Sequence, residues 1–227
     1  MSIFRLQDLP CPTCGADVAF QLVHSVNADR RPDLRDAILA NRFQIGTCPA
    51  CAAEFRPEPE LNYLDQGRNL WVAAWPRDRM ADWQGRVEQS RSVFDEAFGP
   101  AAPAGARALA ASMQWRATFG WPALREKVLI AGSGLDDLGI ELTKMALMRS
   151  VPGQPLDGAE LRLLEIRADE LLFGWVAIDS GRALQLNHVP RSLVGEIETD
   201  DAWNDLRQQL RASPFLDVRR LFLPQTA

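Results

Sequence analysis

Two short cysteine motifs constrain this chain more than any other feature. The sequence "CPTC" begins at Cys11 and "CPAC" begins at Cys48, and together they contain all four cysteines of the 227 residues. A proline follows the first cysteine of each motif and presets the backbone angle that a tight turn needs at its second position. Each turn directs two thiolates towards one point, so the two motifs predict a single site built from four thiolates.

The predicted site has the composition of a structural zinc centre. Four cysteines in tetrahedral geometry, here Cys11, Cys14, Cys48 and Cys51, leave no open coordination position on Zn²⁺. A disulfide fits poorly with the reducing compartment expected for this chain. A thioredoxin-like centre opens a helix, whereas "GADVAF" after the first pair alternates like a strand. An iron or iron–sulfur site uses similar ligands and stays open beside zinc.

Composition and charge indicate the class of protein. A chain of 227 residues with 47% hydrophobic side chains is long enough for one large or two small domains. The start "MSIFRLQDLP" lacks the pattern of a signal peptide. The apolar run "LWVAAW" is far shorter than the roughly 20 residues of a membrane helix. We therefore expect a cytoplasmic protein without membrane association.

The N-terminal part predicts short strands around one helix. "DVAFQLVH" (17–24) and "RFQIGT" (42–47) alternate as strands, and "RPDLRDAILAN" between them has the apolar stripe of a short helix. After the second cysteine pair, "ELNYL" and "NLWVAAW" flank a turn and predict a hairpin. Residues 77–98 then change to helical spacing, which completes a predicted domain over 1–98.

The remainder predicts a linker followed by mixed structure. The Pro- and Gly-rich segment 99–106 is interpreted as a linker, and 107–153 as a strand plus helices, with Ser133 and Asp136 in a capping-box pattern. In 154–227 a hairpin, a third strand, the helix "DDAWNDLRQQLR" and a last strand "VRRLFL" are expected. The fold class predicted is α+β, with a β-rich zinc-ribbon-like N-terminal domain and a smaller hairpin and helix C-terminal domain.

The stretch from "LPCPTCGADVAF" to "TCPACAAEF" resembles the CpXC domain family of bacteria and archaea. That family is defined by two C-P-x-C motifs separated by a strand–helix–strand excursion, and the resemblance extends over roughly residues 8–150. It implies a bacterial zinc-binding domain whose ligands fall on the four cysteines, and it names no substrate or partner. Ala52 departs from the family pattern, because a glycine often follows the second pair. Alanine there is expected to weaken the turn slightly without removing a ligand.

Three further groups of residues are candidates for function. Asp136, Asp137 and Glu141 could form a carboxylate cluster for a metal or for acid–base chemistry, although acidic residues also favour the first turn of a helix. His24 could supply an extra ligand or a hydrogen bond to a sulfur. Trp71 and Trp75, with Trp83 near in sequence, could form a binding surface, but large aromatic residues more often belong to a core.

The leading hypothesis is a structural-zinc interaction module that binds another protein. A net charge of −5 provides no broad basic surface, so nucleic acid is not the expected partner. A nucleic-acid-binding zinc ribbon remains the first alternative. An enzyme that works through Asp136, Asp137 and Glu141 is the second.

Overall fold

The computed structural model describes residues 1–150 and 158–224. Within these ranges the chain has an α+β fold, which confirms the predicted class. It divides into two compact units, Met1–Arg125 and Glu126–Ala227. The predicted boundary at residue 153 lies outside the described residues. Among the described residues, no helix has the length and apolarity that a bilayer crossing requires.

The first unit is organised around a five-stranded mixed sheet. The strands of this unit are β1 (Ile3–Pro10), β2 (Asp17–Asn27), β3 (Gly46–Thr47), β4 (Glu54–Phe55), β5 (Leu61–Asp65), β6 (Leu70–Trp75) and β7 (Gln114–Phe119). The sheet has the order β1-β2-β5-β6-β7, in which β1·β2 and β5·β6 are antiparallel and β2·β5 and β6·β7 are parallel. A separate two-stranded ribbon, β3·β4, lies in the excursion after β2.

Helices alternate with these strands along the chain, and one of them continues across the division between the units. The helices are α1 (Pro32–Leu39), α2 (Trp83–Phe98), α3 (Ala104–Ala110) and α4 (Trp121–Ala131), with short 3₁₀ turns at Gln66–Arg68 and Arg77–Asp82. The helix predicted over 31–41, the hairpin β5·β6 and the helical character of 77–98 are confirmed. Helix α3 begins at Ala104, inside the segment predicted as a linker.

One predicted strand is mostly wrong, and side-chain hydrogen bonds explain why. Of the predicted strand 42–47, only Gly46–Thr47 is extended. Asn41 and Gln44 adopt positive φ angles of 56° and 59°, which interrupt a strand. The Gln44 side chain accepts a hydrogen bond from the Val23 amide at 3.1 Å and donates one to the Gln21 carbonyl at 2.9 Å. The segment therefore joins β2 through a side chain instead of a backbone ladder.

The second unit contains a three-stranded antiparallel sheet. Its elements are α5 (Asp137–Ser150), β8 (Ala159–Ile166), β9 (Glu170–Ala177), β10 (Ala183–Pro190), α6 (Ser192–Thr199), α7 (Asn204–Arg211) and 3₁₀ turns at Asp201–Trp203 and Val218–Phe222. The strand order is β10-β9-β8. The predicted hairpin β8·β9, the third strand β10 and the helix α7 are confirmed, and α6 was not predicted.

The predicted last strand, 218–223, is wrong. Val218–Phe222 is a 3₁₀ turn because carboxylates, instead of a neighbouring strand, accept its first amide protons. The Asp217 side chain accepts from the Arg219 amide at 2.9 Å, and Glu141 accepts from the Val218 amide at 3.0 Å. The predicted capping box is also wrong, because Ser133 donates to the Ile130 carbonyl at 2.7 Å and lies before α5 begins.

Candidate metal centre

The first cysteine motif forms a closed turn between β1 and β2. The Gly15 amide donates to the Cys11 carbonyl at 2.9 Å, and the Cys11 amide donates to the Ala16 carbonyl at 2.8 Å. Gly15 has a φ of +76°, a conformation that glycine adopts without steric cost. The Thr13 amide points at the Cys11 sulfur at 3.4 Å. The turn thereby fixes Cys11 and directs an amide dipole towards its sulfur.

The second motif repeats this geometry between β3 and β4. The Ala52 amide donates to the Cys48 carbonyl at 2.9 Å, and the Cys48 amide donates to the Ala53 carbonyl at 2.9 Å. Ala52 stands where Gly15 stands in the first turn and has a φ of +59°. The left-handed conformation brings the Cβ of an L-residue close to the following carbonyl oxygen. The departure noted in the sequence therefore places a mild strain in the second turn.

The two turns bring all four sulfurs together. Cys11 Sγ lies 3.7 Å from Cys51 Sγ, and Cys14 Sγ lies 3.7 Å from Cys48 Sγ. All four sulfurs lie within 4.8 Å of one another. A disulfide would require a sulfur–sulfur distance of about 2.05 Å. The cysteines are free thiols whose arrangement could hold a metal ion.

Burial differs between the two cysteines of each motif. Cys11 and Cys48 are 3% and 1% exposed, whereas Cys14 and Cys51 are exposed. The two buried sulfurs pack with Val18, and Phe55 covers the same cluster. The site thus has one face against a small apolar core and the other face at the surface.

A close approach of Phe20 to the ribbon supports this core. The Phe20 ring centroid lies 5.6 Å from that of Phe55. A Cβ built on Gly46 would lie 2.3 Å from the Phe20 ring, far inside van der Waals contact. Gly46 in β3 therefore leaves the space that the Phe20 ring occupies against the ribbon.

Backbone amides and neighbouring thiols shift the pKa values of two of the cysteines in opposite directions. Hydrogen bonds from the amides of Cys14 and Thr13 lower the pKa of Cys11 to about 6. The amide of Ala53 acts in the same direction on Cys51, but the neighbouring thiols outweigh it and raise the pKa of Cys51 to about 12. Crowded thiols cannot all lose their protons without a compensating positive charge. A bound cation would supply that charge and allow four thiolates to coexist.

A family comparison agrees with this geometry. The model of the CpXC protein family matches residues 9–144, which include both motifs. The chain belongs to the CpXC family. No curated protein and no solved structure matches the chain. The resemblance stated from the motifs is therefore confirmed, and the CpXC match extends through most of α5.

The predicted carboxylate cluster is not assembled as three acids in a cleft. Asp136 is exposed, and its carboxylate accepts from the Leu138 amide at 3.4 Å. Asp137 and Glu141 are buried and share the ammonium of Lys127, at 3.6 Å and 3.0 Å. Within the described ranges, the four cysteines are the only group of three or more Cys, His, Asp or Glu side chains whose ligand atoms could together hold a metal ion.

The other candidate residues lie away from the cysteines. His24 is not a member of the group that could hold a metal ion, and it lines a small pocket with Trp75 and Ser90. Trp71 is 4% exposed and packs with Phe94 at a centroid distance of 5.3 Å, so it belongs to the core. The Trp75 indole donates to the Ser90 hydroxyl at 2.9 Å.

Sequence reasoning missed a second cluster of charged residues in the Glu126–Ala227 unit. Its members are buried and paired with one another: Glu126, Lys127, Asp137, Glu141, Lys144, Glu160, Arg162 and Asp217. One signal in the sequence was that Glu126 and Lys127 lie between the apolar residues Leu124 and Val128. Both apolar residues are fully buried in the structure. A helix that is apolar on more than one face buries the charges it carries.

Proposed function

We propose that the CpXC region is a zinc-binding module whose metal is structural and whose exposed turns bind another protein. Cys11, Cys14, Cys48 and Cys51 are the proposed ligands. The bound metal would serve as a cross-link that joins the β1–β2 turn to the β3–β4 turn.

The spacing of the sulfurs is the observation that supports zinc binding most directly. Thiolates at about 2.3 Å from a tetrahedral zinc ion lie about 3.8 Å apart. Two of the sulfur pairs lie 3.7 Å apart. Four thiolates also fill the coordination of a tetrahedral ion, which is the pattern of structural sites. Iron is the alternative metal, because a rubredoxin-type site uses the same four ligands.

Metal analysis of the purified protein tests this proposal. The expected result is about one zinc and no iron per chain. Cys14→Ser and Cys51→Ser remove exposed ligands and are expected to abolish stoichiometric binding. Thr13→Ser, an exposed change within the same turn, is the matched control and keeps the metal. A folded wild-type protein that binds no metal would refute the proposal.

The shape of the site supports a role in protein binding. Pro12 and Thr13 of the first turn, and Pro49 and Ala50 of the second, are all exposed. A metal that joins the two turns would hold these small side chains as one rigid surface. A rigid surface loses little conformational entropy when it docks, which favours recognition.

Site-specific photo-crosslinking in the native cell tests the partner class. A photoreactive residue at Ala50 is expected to capture a protein, whereas the same residue at Glu88, exposed on α2, captures none at comparable yield. Equal yields at both positions would contradict the assignment to this surface. Capture of nucleic acid, with retention that weakens steeply with salt, would favour the zinc-ribbon alternative instead.

A further inference from the structure

The Glu126–Ala227 unit contains a cavity that neither the motifs nor the family match explains. Its volume is about 900 Å³, and it is lined mainly by apolar side chains. Sites for small molecules have volumes of roughly 300–1,000 Å³ and the same predominantly apolar character. The apolar lining includes Met145, Met148, Leu161, Trp175, Leu206 and Val218.

Buried ion pairs hold two walls of this cavity in place. The Glu160 side chain on β8 is 0% exposed and accepts from Arg162 at 2.6 Å and from Arg219 at 2.5 Å. Arg162 also contacts Asp217 at 2.6 Å and Glu126 at 3.2 Å. These bonds tie β8 to the 3₁₀ turn that begins at Val218, and both segments line the cavity.

The same network continues into the helices. Lys144 on α5 contacts Glu126 of α4 at 2.5 Å and Glu141 at 2.9 Å. The second oxygen of Glu126 accepts from the Leu163 amide of β8 at 2.6 Å. The second oxygen of Glu141 accepts from the Val218 amide at 3.0 Å. Each carboxylate therefore joins a lysine to the backbone of a segment in or next to the cavity wall.

A network of this kind determines geometry more than it adds stability. Buried ion pairs cost desolvation energy, and apolar residues of the same volume often stabilise a core equally well. Their directional bonds instead hold β8, α5 and the 3₁₀ turn in one arrangement. A cavity with such walls is preformed, which lowers the ordering cost of binding a ligand.

The charges that a ligand could reach favour an anion. Glu160 lies in the lining but is wholly buried between two guanidinium groups. Arg219 is 21% exposed, and Arg149 is exposed and stacks on Trp203 at 5.1 Å. Of the two acidic residues in the lining, Asp205 is the exposed one. The accessible lining therefore carries two guanidinium groups and one carboxylate, and the charge of Arg219 is shared with the buried Glu160.

We propose that this cavity binds a small amphipathic anion. Its apolar body would lie among the methionine, leucine and tryptophan side chains, and its anionic group would lie beside Arg149 and Arg219. The binding is independent of the cysteine site, because every residue that carries it belongs to the Glu126–Ala227 unit.

A pair of fluorescent probes tests the ligand class on the full-length, metal-loaded protein. Anilinonaphthalene sulfonate carries an apolar body and one negative charge, and phenylnaphthylamine has the same aromatic body without the charge. We expect the sulfonate to bind at one molecule per chain and more tightly than the neutral probe. Arg149→Met is expected to lower the affinity for the sulfonate by about fivefold and to leave the affinity for the neutral probe unchanged.

Two tryptophan substitutions locate the binding. Ala202 is exposed and lines the cavity, so Ala202→Trp is expected to block both probes. Ala212 is exposed in the same unit and does not line the cavity, so Ala212→Trp is the matched control and binds normally. Near-ultraviolet circular dichroism confirms that each variant is folded before it is titrated.

Several results would overturn the proposal. Absence of probe binding to the folded protein would refute the cavity as a ligand site. Equal affinity for the charged and neutral probes would refute the anionic class. Unchanged binding in folded Ala202→Trp would place the probes elsewhere on the protein. None of these results alters the metal content that tests the CpXC site.

Discussion

The cysteine site and the buried ionic network hold their parts of the chain together by contrasting means. The four cysteine sulfurs of the first unit are groups of one kind, which all become negative when they ionise. In the second unit, carboxylates such as Glu126 and Glu141 are neutralised by Lys144 of the same chain. Four ionised sulfurs would need a cation from outside the chain, whereas the second arrangement contains its own counter-ions. We therefore expect the stability of the two units to respond differently to metal, to pH and to single substitutions.

Removal of the metal is expected to have the largest effect and to be confined to the first unit. Structural zinc contributes on the order of 10 kcal/mol to the folding of small zinc domains at neutral pH. A strong chelator is expected to remove hydrogen-exchange protection from 11–16 and 48–53. The amides of β8 and β9 in the second unit are expected to keep theirs. Equal loss in both units would contradict the separation between them.

Breaking one buried ion pair is expected to have the next largest effect on stability. Glu126→Gln removes a carboxylate that Lys144 and Arg162 share and places a donor NH2 against groups that themselves donate. The expected loss is about 3–5 kcal/mol in the free energy of unfolding. Denaturant unfolding monitored by fluorescence measures it.

An exposed pair in the same unit supplies the control. Arg167 bonds Glu165 at 3.0 Å with both side chains about half exposed, and Arg167→Ala is expected to cost no more than about 1 kcal/mol. A similar cost for Glu126→Gln and Arg167→Ala would contradict the structural role of the network.

Acid is expected to weaken the second unit through Asp217. Burial alone would raise the pKa of Asp217, but the positive charges of Arg162 and Lys144 outweigh it and lower that pKa. Its stabilising contribution is therefore complete above the unfolded pKa of about 3.9 and is lost as the pH falls below that value. One additional proton bound on unfolding changes stability by about 1.4 kcal/mol per pH unit.

The Asp217→Asn variant isolates this effect. The stability difference between wild type and Asp217→Asn is expected to narrow as the pH falls below about 4. Urea unfolding between neutral pH and acid pH measures the difference. A constant difference across this range would show that Asp217 does not titrate with the expected sign.

Substitution of the residue that follows each cysteine pair is expected to have the smallest effects on stability. Ala52→Gly relieves the positive φ of 59° and is expected to stabilise the metal-bound first unit by about 1 kcal/mol. Gly15→Ala introduces the same strain at φ +76° and is expected to destabilise by a similar amount. Thermal unfolding of both variants compares the two turns directly. Shifts of the unfolding temperature that are equal in size and opposite in sign would confirm that the two turns are equivalent. Shifts of the same sign would contradict it.

Local patterns made the cysteine turns predictable, whereas long-range contacts decided what was missed. The first turn is determined by Pro12 and Gly15, which lie within the five residues that begin at Cys11. The strand predicted over 42–47 was mostly wrong because Gln44 bonds to β2, about 20 residues earlier. The strand predicted at 218–223 was wrong because Glu141 accepts the Val218 amide from a distant helix. Periodicity in the sequence contains no information about such bonds.

The charged network was missed for a related reason. Glu160 and Arg162 alternate with Leu161 and Leu163 on β8, a pattern that usually indicates a solvent-facing strand surface. Both charged residues are instead buried, because Asp217 and Arg219 approach them from the end of the chain. Only the tertiary structure reveals that these charges neutralise one another.

X-ray absorption at the metal edge tests whether the four cysteines hold a zinc ion. We expect a zinc edge with four sulfur neighbours at about 2.3 Å and no nitrogen or oxygen ligand. The Cys51→Ser variant should lose this four-sulfur shell, since it removes an exposed ligand. A shell that contains nitrogen or oxygen in the wild-type protein, or a protein that is folded with disulfides and no metal, would refute a zinc site made of four cysteines.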